Sequence, residues 1–211
     1  MNALPYVFLL VTLLANQSCG TLVVDYCVAD FNYPSGPTGF PCKNPAKLTA
    51  DDFVTSKMGI AGNTSNPFNA AVYLAIDTTF PAFNGLGISM GRLDLDVGGV
   101  IPAHTHRSSE VILVIEGTIL AGFVDTNDTA FYKTLKKGDI MIFPPTLMHF
   151  QVNVGNTPAL AFVSLNSANP GFQTITFSFT ANNLPTEVVQ KISLIDSAQI
   201  KKLKRMFGGT N

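Results

Sequence analysis

Gly99-Val-Ile-Pro-Ala-His104-Thr-His106-Arg-Ser-Ser-Glu110 and, further along, Gly138-Asp-Ile-Met-Ile-Phe-Pro144-Pro-Thr-Leu-Met-His149-Phe-Gln-Val-Asn153 hold all three histidines of the chain. His104 and His106 are two residues apart, so on an extended strand both side chains leave the same face. Glu110 has the same parity, and a short turn after His106 can aim its carboxylate at the same point. His149 then has to arrive from another strand. A lone histidine is more often a surface or core residue, and a bare His-x-His pair is common by chance. Here an acid follows at short spacing, Gly99 and Gly117 bracket the run, and a second strand–turn–strand signature brings the third imidazole. Three imidazoles and a carboxylate, without thiolates, are the components of a metal site.

Around these stretches the chain reads as many short strands with turn signals at close intervals. Apolar or alternating runs occur at 70–76, 87–96, 111–115, 118–124, 140–143, 148–152 and 159–165, with a further run at 171–179. The uninterrupted run 111–115 suggests a strand buried on both sides, and Glu116-Gly117 reads as a hairpin turn into 118–124. This pattern is all-β, a barrel or sandwich. The end of the chain differs. Residues 184–192 and 197–207 read as helices, with Ser197 as a cap, an apolar stripe of Ile200, Leu203, Met206 and Phe207, and Gly208-Gly209 as the stop. The cluster Lys201, Lys202, Lys204 and Arg205 reads most simply as the solvated face of that last helix.

Only 13% of residues are charged and the net charge is −1, which argues against a nucleic-acid partner. Residues 1–20 read as a secretory signal with an apolar core at 7–15, too short to span a bilayer, and no membrane anchor is expected. Cys19 leaves with the signal, so Cys27 and Cys42 remain as a pair in an oxidising compartment. A bridge there closes a loop of about fifteen residues and contributes roughly 3 kcal/mol. It would pin an arm over 21–60, whose Tyr33-Pro-Ser-Gly-Pro-Thr-Gly-Phe-Pro41 can be neither helix nor central strand. Asn63 and Asn127 stand in glycosylation sequons. The expected organisation is signal 1–20, arm 21–60, barrel 61–180 and helical extension 181–211.

The two histidine stretches resemble the paired motifs of the cupins and, within them, the germin-like proteins of plants. Asp25-Tyr-Cys27, Gly62-Asn-Thr-Ser-Asn66, Phe83-Asn-Gly-Leu-Gly87, Asn166-Ser-Ala-Asn-Pro-Gly171 and Leu184-Pro-Thr-Glu187 carry the likeness along nearly the whole chain. It is strongest to the branch that includes proteins described as auxin-binding. The resemblance implies a cupin jelly-roll β-barrel with a disulfide-pinned N-terminal arm and C-terminal helices, a trimer-of-dimers hexamer, and a location in the apoplast and cell wall. Metal ligands His104, His106, Glu110 and His149 would take manganese, iron, nickel or zinc on donor chemistry alone. The family points to Mn(2+).

The reaction is less determined. Superoxide dismutation suits a redox ion with open coordination positions. The alternatives are a binding protein for a small carboxylate such as auxin, with Ile101, Phe143, Leu147 and Phe150 against its ring, and a non-catalytic wall or storage glycoprotein. Oxalate oxidation is disfavoured, because family members with that activity carry Asn where this chain has Gly91 and Ile101. Each lost amide removes about 1.5–3 kcal/mol of bonding to a charged substrate. Two further departures mark the site. Arg107-Ser-Ser109 gives three residues between the second histidine and the glutamate where this branch has four, and adds a cation, Arg107, that is either plain surface or a guide for anions. Thr146 replaces the glycine of the turn before His149, and threonine tolerates positive φ poorly.

Overall fold

The computed structural model describes residues 24–210. The signal-like segment and Cys19 lie outside the described residues. Ten strands form two five-stranded antiparallel sheets. They are β1 (Ala70–Ala75), β2 (Ser89–Leu95), β3 (Val100–Thr105), β4 (Glu110–Glu116), β5 (Thr118–Val124), β6 (Ala130–Lys136), β7 (Ile140–Phe143), β8 (His149–Asn153), β9 (Ala159–Leu165) and β10 (Gln173–Thr174). One sheet runs β1-β2-β9-β4-β7 and the other β10-β3-β8-β5-β6. Leu93, Leu95, Ile112, Val114, Ile119, Ala121, Val163 and Leu165 fill the space between them. This is the cupin jelly roll.

Glu116-Gly117 does not make a hairpin. β4 pairs with β7 and β9, and β5 with β6 and β8, so the chain changes sheets at Gly117. Gly117 has φ +83°, and a Cβ there would lie 2.6 Å from the Cβ of Ala159. A corner that tight requires glycine. Nor is 111–115 buried on both sides. Ile112 and Val114 are buried, but Leu113 shares an outer face with Met90, Ile140 and Ile142, all exposed in the single chain.

The run 171–179 is a strand only at β10. From Ile175 to Thr180 it is a helix, α1, despite its alternating pattern. Phe177 packs at a tilt against Phe68 and Phe207, and the Ser178 and Thr180 hydroxyls donate to the carbonyls of Thr174 and Thr176. Tertiary packing of one aromatic face outweighs β propensity here. Two helices follow, α2 (Thr186–Ser193) and α3 (Ser197–Phe207). Asp196, not Ser197, caps α3, accepting from Ala198 N and Gln199 N. Lys204 is not on the solvated face: it is 4% exposed and its Nζ donates to the carbonyls of Asn182, Leu184 and Thr210. Met206, placed in the apolar stripe from its spacing, is exposed.

Cys27 and Cys42 are joined by a disulfide. The arm is fastened to the barrel by buried Asn84, whose amide donates to Phe40 O at 2.8 Å and accepts from Phe40 N at 2.9 Å. Further along, Arg92 on β2 reaches Met58 O while its partner Asp94 accepts from Gly62 N.

Candidate metal centre

His104 on β3 lies directly across from His149 on β8. The β3–β8 register shifts between Ile101 and His104, at Pro102 and Ala103. Proline has no N–H to give the ladder, and a bulge there re-aims the strand. As a result Ile101 and His104, of opposite parity, are both buried. His106 follows just beyond the end of β3. Glu110 is the first residue of β4, in the opposite sheet, paired with Phe143 and Leu165. One ligand atom from each of His104, His106, Glu110 and His149 lies within 4.8 Å of the others, and all four residues are buried. Ligand bonds of about 2.0–2.2 Å let one ion span such a set after slight closure.

Each imidazole is oriented by a backbone carbonyl. His104 Nδ1 donates to Pro102 O at 2.7 Å, His149 Nδ1 to Leu147 O at 2.9 Å, and His106 Nδ1 to Gly171 O. A carbonyl can only accept, so each Nδ1 carries a proton, and each Nε2, once it gives up any proton of its own, offers a lone pair to a cation. His106 Nε2 lies 2.9 Å from Glu110 Oε2. His149 Nε2 is 3.6 Å from the same oxygen and has no hydrogen-bond partner, though buried. An orphaned ring nitrogen aimed at a carboxylate and two other imidazoles is what a cation would satisfy.

Electrostatics agree. Burial, with His149 beside it, pushes His104 down to about 3, so it stays neutral and ready to ligate. Burial alone would raise Glu110, but the imidazoles of His106 and His149 beside it outweigh that and hold the carboxyl at about 2. Gln151, from the next inward position on β8, brings Nε2 to 3.5 Å from Glu110 Oε1. Its Oε1 has no partner.

The space enclosed beside these residues is about 10 Å³, walled by Val72, Leu74, Leu93, Ile101, Val163 and Phe172. Of the residues expected around the site, Ile101 lines it. Phe143 stacks on His149 at 4.6 Å but is fully buried behind it, and Leu147 contributes its carbonyl. Phe150 has the wrong parity and sits across from Gly122, away from the ligands. Arg107 is exposed and donates to Asn169 O at 3.0 Å. It lines a polar depression with Asp77 and Asn84 rather than the enclosed space. The ring that does cover the site is Phe172, 4.5 Å from His104 and 5.6 Å from His106 between centroids. It lies within the run 171–179, and its alternation gave no sign of this role.

Thr146 keeps the left-handed turn despite its branching, with φ +67°. Gly91 faces the interior, where a Cβ would come within 2.7 Å of Val163 and 2.8 Å of Leu74. A larger residue there would have to push both side chains aside. Asn63 and Asn127 are both exposed.

A cupin family model matches residues 56–201. The auxin-binding protein ABP19a of Prunus persica is 58% identical over 190 residues, 90% of this chain and 91% of that one. A germin-like protein of Morus alba is 52% identical over 97% of this chain and 98% of its own length. Among solved structures, an oxalate oxidase superposes with a TM-score of 0.84 at 33% identity, covering 89% of this chain and 96% of that chain.

Proposed function

The chain belongs to the germin-like proteins of the cupin family, and from that premise we propose that it is a secreted manganese protein that dismutes superoxide in the apoplast. The observation that carries the reading is the complete, buried His3Glu cluster. The space beside it is only about 10 Å³ before any ion enters, on the scale of one water molecule. Water and diatomic oxygen species therefore reach a bound ion with less displacement of the walls than an organic acid.

Bound there, a manganese ion would supply the +2/+3 couple that superoxide dismutation needs, in which two superoxide ions and two protons give O2 and H2O2. His104, His106, Glu110 and His149 hold the ion. Three neutral imidazoles and one carboxylate leave a divalent site with one net positive charge, which attracts an anion in a low-dielectric cavity. The Nδ1–H bonds to Pro102, Gly171 and Leu147 keep the ligand tautomers fixed, so neither oxidation state requires the rings to turn. Ile101, Leu93 and Val163 exclude bulk water. Gly91 and the apolar Ile101 speak against oxalate as substrate, since neither side chain offers it an amide.

The test is reconstitution of metal-free protein with Mn(II), stoichiometry by elemental analysis, and superoxide decay against an equal concentration of free Mn(II). We expect catalytic loss in the wild type, and loss of both metal and activity in His149→Ala. Fully loaded protein that leaves superoxide decay unchanged would overturn the reading.

A second reading, binding of a small carboxylate such as auxin, is favoured by two apolar clefts of about 170 and 430 Å³ just outside the enclosed space. Titration calorimetry with indole-3-acetic acid tests it, and no heat in the loaded protein removes it. Secretion is supported by the Cys27–Cys42 disulfide, a bond of oxidising compartments. The exposed sequons at Asn63 and Asn127 suit glycosylation. The apolar outer face carrying Met90, Leu113, Ile140 and Ile142 suits a second copy of the chain, as the first step to a trimer of dimers.

A further inference from the structure

Phe172 belongs to no ligand and no core layer, yet it touches every compartment around the metal centre. Its ring packs against His104 and His106 on one side and is 47% exposed on the other. It walls the enclosed space beside the ligands and both apolar clefts outside. Val72, on the edge strand β1, is the other residue shared by all three.

The backbone that carries this ring is pinned on both sides. Arg107 N donates to Pro170 O at 2.9 Å, Arg107 Nη2 to Asn169 O at 3.0 Å, and His106 Nδ1 to Gly171 O. Beyond Phe172, Gln173 and Thr174 pair with Thr105 and His104 in β10–β3. The strap is therefore fixed, while the ring at its centre has solvent on one face. What can move is the side-chain torsion, not the loop.

We propose that the Phe172 ring is the gate that sets which ligands reach the metal. Packed on His104 it limits access to water and diatomic species. Turned outward toward the clefts it joins the enclosed space to them, and the ion then lies at the end of an apolar channel suited to a carboxylate with an aromatic body. The carboxylate would meet the metal and the ring would occupy the clefts lined by Val72, Leu74, Ile101 and Phe177. This inference rests on the metal reading above and assigns the specificity of the same site to one residue that coordinates nothing.

The experiment uses Mn(II)-loaded full-length protein, metal content measured by elemental analysis, and the Mn(II) electron paramagnetic resonance spectrum as readout. The probes are azide, a small linear anion, and phenylacetate, an aryl carboxylate. Azide is expected to perturb the spectrum equally in wild type and Phe172→Ala. Phenylacetate is expected to bind Phe172→Ala at least about tenfold tighter than wild type, with Phe172→Leu intermediate and Phe172→Tyr unchanged. Melting temperatures close to wild type confirm that the half-exposed position tolerates truncation. Metal-loaded variants with the same phenylacetate affinity as wild type overturn the gate and leave the metal reading standing. A wild type that fails to retain stoichiometric manganese overturns both, whereas a variant that loses it while the wild type keeps it gives Phe172 a role in holding the site and overturns the gate alone.

Discussion

Replacing Thr146 by glycine should make the protein more stable, although it removes side-chain atoms and touches no core residue. Thr146 has φ +67°, a conformation that costs an L-residue about 1–2 kcal/mol and suits a β-branched side chain least of all. The fold holds it there for a reason. Thr146 N donates to His106 O at 2.9 Å, and the next residue presents its carbonyl to His149 Nδ1 at 2.9 Å. The turn thus couples two of the imidazoles, and strain is tolerated to keep them in place. In Thr146→Gly both backbone bonds remain and the strain disappears. Against that gain of about 1–2 kcal/mol, the unfolded chain acquires freedom worth roughly 0.5–1 kcal/mol. The net stabilisation is about 0.5–1 kcal/mol, or roughly 1–4 °C in melting temperature for a chain of this size. Calorimetry and urea unfolding of the metal-free protein measure it, with Thr146→Ala as the control that keeps the strained φ. A glycine variant that melts at or below wild type refutes the account of this turn.

Four other outcomes follow from the same contacts. His104 stays neutral in the fold down to about pH 3 but takes a proton near 6.5 when unfolded. The unfolded state therefore binds more protons between those values, and metal-free protein loses up to ~1.4 kcal/mol per pH unit as pH falls through that window. His104→Asn should flatten the slope between pH 6.5 and 4.5, above the range where Glu110, held at about 2 against its usual 4.5, adds a loss of the same sign; parallel urea titrations compare the two proteins. Lys204→Met removes the ammonium donor from the part-buried carbonyls of Asn182, Leu184 and Thr210 and should cost about 1–2 kcal/mol, with early proteolysis of α2 and α3 as the local readout. Replacing Cys27 and Cys42 together by alanine should cost roughly 3 kcal/mol, and an unchanged urea midpoint would show that the arm contributes nothing. Ile142→Asp should reduce the assembly size in light scattering if the outer face of β4 and β7 meets a second copy, and no change in mass would discard that interface.

The sequence made legible whatever depends on local periodicity. The alternation of β2, β5 and β9 and the bounds of α3 follow from spacing alone, as does the shared face of His104 and His106. What escaped was set by contacts distant in sequence. Glu116-Gly117 looks like a hairpin because glycine at positive φ serves a hairpin and a sheet-to-sheet corner equally well; only the partners of β4 and β5 distinguish them. Residues 175–180 alternate like a strand, and the packing of Phe177 against Phe68 and Phe207 makes them a helix. Lys204 reads as a solvated cation until the last turn of α3 is seen to close on the carbonyls of 182, 184 and 210. Phe172 gives no local signal, since its importance lies in what stands behind its ring.

The turn Arg107-Ser-Ser109 shows how little the ligand set depends on the loop between its members. If loop length placed Glu110, removing a residue would move the carboxylate by up to about 3.3–3.6 Å, the span of one extended residue, and take it out of reach of the cluster. Glu110 is instead held by register, opposite Phe143 on β7 and Leu165 on β9, and its Oε2 still stands 2.9 Å from His106 Nε2. The histidines are held likewise, by the β3–β8 ladder and three backbone carbonyls. Each sheet therefore contributes ligands independently of the chain that joins them, and an ion bound by all four would tie the two sheets together across the core. The side chain of Phe172 and the arm residues beside Arg107 carry no such constraint. Sequence change there can alter what reaches the metal without altering what holds it, so differences in activity among chains of this fold should be sought in the covering residues before the ligands.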